Sequence, residues 1–472
     1  MDDNEPTSRA AAQAGLAHVA TASFLASRVV PTGGYAVALA GGVALARAAQ
    51  VAGARIGYGA SVAAMLQAVA VLGPSRISVP LTQAVSAPLL GRMHARGRRA
   101  AAQIGACAAI RATDQAVFTA FYIWIVGGVG AYAATYDAIA GRIPGMPAGT
   151  VAALGATALV LILWTLFASA VQVLVYRAAL EAWPDAGARA GERAARSERP
   201  EDDVPQPAPS ARYDPRAVAL AAVVAFCVLI ATTAWVVLGA VTAWLAIAWA
   251  TARGERAPVR AGLALAALLA GGALSFNLIG GSDLDLTLQR TIRAGLLVLV
   301  ATWLRAAAGE DGVREVARRS LHRVRRVPAM GEASEILDRL GAGGALGASG
   351  RALVTDLRHV SRRPSALATA VLRWVVGEAE RFRAAPPPAV APELLRAAWR
   401  DRVLVAGVIA AVAGAVVVGQ MSDRATRPTA QALLLAPLVA ADEARQDRRY
   451  VRLPGSRAIG GTKLGFFLSR HA

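Results

Sequence analysis

Apolar residues in this chain fall into runs of about twenty, the length a helix needs to cross a hydrocarbon core, and the charges are swept into the gaps. A spanning segment must satisfy its own backbone hydrogen bonds, so such runs are helices. They lie at 10–30, 34–54, 57–73, 104–134 and 149–176, and again at 217–252, 259–280, 291–308 and 403–420. Of the 472 residues, 56% are hydrophobic and 17% charged, whereas soluble domains carry roughly 25% charged residues. The expected fold class is all-α, a polytopic transmembrane helix bundle with cytoplasmic amphipathic coupling helices. The run 217–252 is too long for one ordinary span and predicts two short helices with a turn near 232–238. The run 104–134 is also too long. Arg111 and Asp114 divide it, and their three-residue spacing lets them pair on one helical face.

The net charge is +19, nearly all of it arginine, with Lys463 the only lysine. Excess cations beside spans mark cytoplasmic loops. The basic runs lack interleaved aromatics, which argues against a nucleic-acid partner. Cys107 and Cys227 both lie in apolar stretches and read as small buried hydrophobes. The five histidines (18, 94, 322, 359 and 471) are isolated, so no metal site, cofactor or catalytic triad is expected. The chain is expected to be non-catalytic. "GSRAIGGTKLG" in the tail lacks the Lys-Ser/Thr that must follow the last glycine of a phosphate loop. "MDDNEPTSRA" has no basic n-region, so the first run is expected as a retained helix.

Composition divides the chain further. Residues 1–182 form an N-terminal membrane module of about five spans, and 183–212 a charged Pro/Ala linker. A four-span part follows at 213–308, then a polar but helix-patterned region at 309–402, a last span at 403–420 and a basic tail at 421–472. "ALLLAPLVAA" at 432–441 is too short to cross and reads as a docked or re-entrant piece.

The densest basic stretch, "RRSLHRVRRVP" at 318–328, opens that polar region. Val313, Val316, Ala317, Leu321 and Val324 recur at spacings of three and four, with Arg314, Arg318 and Arg325 opposite, an amphipathic helix that Pro328 should stop. A second such helix carries Leu353, Val354, Leu357 and Val360. A third carries Leu367, Val371, Trp374 and Val375 inward, and Arg373, Glu380 and Arg381 outward. "GAGGALGASG" at 341–350 is expected as a flexible joint. Two occupants suit these faces: anionic lipid held by the arginines, or a partner subunit.

Residues 212–420 resemble the transmembrane coupling component of energy-coupling factor transporters, relatives of the cobalt-transport permease. Asp214-Pro215-Arg216 stands before the first span of this part, Asn277 near the end of its third, and Arg290 and Arg293 at its fourth. "LLRAAWRDRVLVAGVI" matches the basic aromatic entry to the last span. In that family two coupling helices end in Ala-Arg-Gly or Ala-Arg-Ser, whose arginine enters an ATPase groove. Here the ends read "DLRHVSRR" and "EAERFRAAP", which keep Arg358, Arg362, Arg381 and Arg383 without the motif. The resemblance implies a coupling permease of an ATP-driven uptake transporter for a vitamin or metal ion. Its partners would be ATP-binding-cassette subunits and a substrate-binding membrane subunit, its place the cell membrane, with 305–402 cytoplasmic. The alternative is a membrane scaffold or assembly protein with a lipid- or partner-binding basic surface.

The N-terminal module has the size of a substrate-capturing subunit. Arg76, Gln83, Arg111 and Asp114 are candidates for lining a polar cavity there, since an ionisable residue inside a membrane is a functional candidate by default. The alternative is that Arg111 and Asp114 pair at the membrane interface.

Overall fold

The computed structural model describes residues 5–28, 34–74, 78–194, 213–251, 256–281, 283–340, 343–360, 363–384 and 398–422. Among them are fifteen α-helices and no strand. The N-terminal half contains α1 (Glu5–Ala26), α2 (Gly34–Ala52), α3 (Ala54–Leu72), α4 (Ser78–Ala95), α5 (Ala100–Phe121), α6 (Val129–Ala140) and α7 (Thr150–Ala194). A π-helical turn, Tyr122–Gly127, prolongs α5. The second half contains α8 (Pro215–Ala231), α9 (Trp235–Thr251), α10 (Arg256–Ile279) and α11 (Leu284–Arg323), then α12 (Pro328–Arg339), α13 (Gly343–Arg358), α14 (Pro364–Ala384) and α15 (Trp399–Ser422).

Among the described residues four helices are long and apolar enough to cross a membrane: Ala54–Leu72, Thr150–Trp183, Val259–Ile279 and Leu284–Arg323. The bent pair Ala100–Ile125 and Val129–Ala140 makes a fifth if it counts as one span. These helices are compatible with a multi-pass membrane protein. Helix α7 presents Leu159, Val160, Ile162, Leu163, Trp164 and Phe167 outward, the surface a lipid-facing helix needs. The first half of α11 is mostly buried, as suits a central helix. The break at 232–234 between α8 and α9 falls in the expected turn.

α11 runs through the point where hydrophobicity collapses. Gly309 takes φ +71° there, a left-handed value that needs glycine, and kinks the helix. The amphipathic turns after the kink end at Arg323. Pro328, expected only to stop that helix, occupies the first turn of a further helix, α12. A proline is tolerated there because its missing N–H would be unpaired anyway.

The apolar faces of α12, α13 and α14 are largely covered, whereas Val324 after the kink in α11 stays exposed. Ile336, Leu337 and Leu340 at α12, Leu346 and Leu353 on α13, and Trp374, Val375 and Ala379 on α14 share one core with Ala14, Ala17, Ala22 and Phe24 of α1. Every side chain described from Gln13 to Ser27 is buried. The expected span 10–30 is therefore a helix enclosed by other helices. It packs against α2, α3, α12, α13 and α14. Small residues allow this close approach. A Cβ on Gly15 would stand 2.7 Å from the Ala379 carbonyl oxygen on α14, and one on Gly350 3.1 Å from that of Ala22.

Two expectations change as a result. The glycine-rich segment 341–350 is not a joint, because from Gly343 it is the first half of α13 and is pressed onto α1. The linker 183–212 also begins as helix, since α7 continues to Ala194 through helix-favouring Ala, Arg and Glu. The rest of the linker, the 432–441 segment and the basic tail after Ser422 lie outside the described residues. The division at 183–212 separates segments of sequence, while helices from both sides build one core.

Gly15→Val should lower the melting midpoint of the purified protein, with an overpacking cost of about 1–3 kcal/mol. Gly347→Val, where an added Cβ meets nothing within 4 Å, should not. Thermal unfolding of both variants in detergent checks the pair. Equal losses would mean that α1 and α14 do not meet as described.

Candidate functional site

Where α1 crosses α13 and α14, polar side chains form a buried knot. His18 Nε2 lies 3.4 Å from Glu378 Oε1 and 3.3 Å from Ser349 Oγ. Ser349 donates to Glu378, Arg381 Nη2 stands 2.9 Å from Glu378 Oε2, and Phe382 stacks on the His18 ring at 4.5 Å. Burial alone would push the Glu378 carboxyl up. Hydrogen bonds from His18 and Ser349 and the charge of Arg381 outweigh it and hold the group below the usual carboxylate range. Serine and carboxylate face the same imidazole nitrogen, and His18 Nδ1 is buried without a partner. A nucleophile relay needs the base and its orienting group on opposite ring nitrogens. This arrangement therefore fastens helices together.

His18 belongs to no metal-binding group among the described residues, but it does have polar partners. Its partners are 331 and 360 positions away (349 − 18 and 378 − 18). No local spacing could reveal such a knot.

The arginines proposed for ATPase coupling are placed unequally. Arg381 is exposed and paired with Glu378. The side chains of Arg358 and Arg383, and Arg362 altogether, lie outside the described residues. In the second half of α11, Arg318 and Arg319 both bind Glu315, at 2.7 and 2.8 Å. Arg314, expected on the solvent side, instead turns in and donates to the Leu337 carbonyl on α12 at 2.5 Å. Arg325 is exposed as expected.

Asp214-Pro215-Arg216 is a helix-start device. Asp214 caps α8 by accepting from Arg216 N at 2.8 Å, Pro215 fills the first turn, and the Arg216 side chain returns to the same carboxylate. Asp401, at the start of α15, accepts from Asp214 N at 2.8 Å and from Ala398 N at 2.6 Å. The basic aromatic entry "WRDRV" thus ties the beginnings of α8 and α15 together, a role that spacing alone did not show.

Asn277 is fully buried. Its amide donates to Ala273 O at 2.8 Å and accepts from Arg290 Nη1 at 2.9 Å. Arg290 Nη1 also donates to Gly127 O at 2.7 Å, at the break between α5 and α6. Arg293 is 5% exposed, and its Nε has no hydrogen-bond partner.

In the N-terminal half, Arg111 and Asp114 do not pair. Arg111 is 5% exposed and donates to Gln172 Oε1 at 2.6 Å and to Tyr35 OH at 3.1 Å, with its guanidinium over the Tyr35 ring. Asp114 instead accepts from Thr82 at 2.6 Å. Three positions along α5 point the two side chains at different neighbours, α2 and α7 for one and α4 for the other. Gln172 also donates to Ser86 and accepts from Cys107. Gln83 is buried with both amide atoms unpartnered, and Arg76 lies outside the described residues. Arg111, Gln172, Tyr35 and Ser86 form a buried hydrogen-bonded cluster in this half. Among the described residues no group of three metal-binding side chains occurs.

A carboxyl held low in the folded state stabilises it above its unfolded pKa of about 4.3. That contribution disappears as pH falls through the folded value. Glu378→Gln should therefore melt below the wild type at neutral pH, and the gap should narrow on acidification. Melting midpoints across a pH series check this, and a constant gap would contradict it.

No protein-family model, curated protein or solved structure matches this chain.

Proposed function

We propose that this chain is a membrane transport component of the energy-coupling factor type, in which a substrate-capturing N-terminal half is fused to its own coupling helices. The observation that carries the reading is the seat of α1 on α12, α13 and α14. A coupling device must transmit motion between an ATPase on one side and a solute-binding bundle on the other. Here the arginine-rich helices press their apolar faces against the N-terminal bundle and leave Arg325, Arg351, Arg363 and Arg373 exposed. Guanidinium groups on such a surface suit charge-assisted bonds to an acidic partner. A rigid-body shift of α13 and α14 would be passed to α1 through the His18, Ser349 and Glu378 knot.

The interior around Arg111 and Gln172 supports a solute-handling role for the N-terminal half, because polar groups within membrane spans are costly to keep. The chain itself performs no chemistry in this reading; ATP hydrolysis belongs to separate subunits. The scaffold reading draws on the same exposed arginines, with anionic lipid as their partner.

Affinity purification from native membranes in mild detergent separates the two. The transport reading predicts a stoichiometric ATP-binding-cassette protein that is lost in an Arg358→Glu, Arg362→Glu double variant. Arg381 is left intact because it holds Glu378. Recovery of the chain with no ATPase at any salt concentration would contradict the reading and favour the scaffold.

A further inference from the structure

Three sources of positive potential meet where the broken span of the N-terminal half touches the α10–α11 hairpin. The chain bends by 100° between the end of the π-helical turn and α6. Gly128 makes the bend at φ +83° and precedes α6 without offering a side-chain cap. The first N–H groups of a helix have no intrahelical acceptor and carry its positive dipole end. The Arg290 guanidinium sits against Gly128 where a Cβ would stand, and the positive φ there already favours glycine. Arg293 follows on the same helix, almost wholly buried and within electrostatic reach of Arg290.

Among the described residues no counter-charge meets them. Arg290 spends Nη1 on Gly127 O and Asn277 Oδ1, which are neutral, and its Nε and Nη2 make no hydrogen bond to a described residue. Neither arginine pairs with a carboxylate among the described residues. Asp285, the nearest acid on α11 after its cap, is bound to Trp235 Nε1 at 2.7 Å and to Gln289 at 2.8 Å.

Buried charges are otherwise paired or hydrogen-bonded. Arg111 shows the alternative, since Gln172 and Tyr35 and the tyrosine ring accommodate it. Among the described residues Arg293 has no such shell. Broken membrane helices that aim a half-helix N-terminus at an anionic group are a known solution to this problem.

We infer that the α5–α6 break is an oxyanion-binding site, which takes a compact carboxylate or phosphate between Arg290, Arg293 and the N-terminus of α6. Two guanidinium forks supply the directed donors, and the helix end supplies further N–H groups. Asn277 is a positioning residue that holds Arg290 in place. Tyr122 and Tyr132 pack on Phe276, each at a centroid distance of 5.8 Å, and wall the site on one side. Arg290 is roughly 9 Å along α11 from its first residue, at the end of the span away from the amphipathic helices. The inference does not depend on an ATPase partner.

The test uses the full chain in phosphatidylcholine nanodiscs and equilibrium dialysis against radiolabelled inorganic phosphate and benzoate. Saturable binding of at least one anion is expected. It should weaken about tenfold or more in Arg290→Gln and Arg293→Gln and be unchanged in Arg373→Gln, which alters an exposed residue of α14. Discs that also contain phosphatidylglycerol identify the source. Loss of binding there makes the oxyanion a lipid headgroup, and retention makes it a solute; both support the site. Arg293→Met in anion-free buffer should melt no lower than the wild type, because it removes a buried charge that lacks a counter-ion. A marked fall in its melting midpoint would make Arg293 structural and overturn the inference. So would the absence of saturable binding in a cooperatively melting wild type, or binding that survives both glutamine substitutions.

Discussion

An apolar stripe on an arginine-rich helix has to be covered by something, and what covers it determines how the rest of this molecule is arranged. Lipid, a partner protein and another helix of the same chain are all physically adequate. Here the cover is α1, an Ala-rich helix with little apolar bulk of its own. Its small side chains let three neighbours approach closely, and those neighbours bring the large groups: Ile336, Leu337, Leu340, Leu353 and Trp374. Dispersion contacts accumulate when backbones come this near. The buried His18–Glu378 contact then sets the register, because a displaced helix would leave a carboxylate without its partners.

Buried arginines pose the second constraint, and the protein meets it in three different ways. Arg305 donates to the Val71 carbonyl at 3.0 Å and lies near Glu310, which ties α11 to α3. Arg111 is held by neutral acceptors and an aromatic face. Arg290, half-buried, lies against the start of α6, and the buried Arg293 follows one turn along α11; among the described residues neither has an acid partner. The first two are settled within the chain. The third is not, and that difference sets the α5–α6 break apart from the others as a place for chemistry from outside.

Much of the helical layout was legible because hydropathy is read locally. The paired helices inside 217–252, the collapse at Gly309 and the outward Arg373 and Glu380 all follow from periodicity. Partnership was not legible, because it is settled by residues hundreds of positions apart. The 341–350 segment looked like a joint since glycine lowers helix propensity, yet close packing on α1 makes small residues an advantage there. Pro328 looked like a stop, but it serves equally as a start. Arg111 and Asp114 have the spacing of an ion pair, and tertiary neighbours with better geometry draw them apart. Asn277 and Arg293 were singled out by resemblance, whereas the part of Gly128 shows only once the bend is in place.

The account rests on the two halves of the sequence sharing one core through α1. A protease site placed within 195–212, with a different tag on each end of the chain, tests this directly. After cleavage in detergent, the account predicts that the fragments co-purify and elute together through size exclusion, and that they separate when Gly15→Val and His18→Ala are combined. Two fragments that part on cleavage of the wild type, each remaining folded, would contradict it.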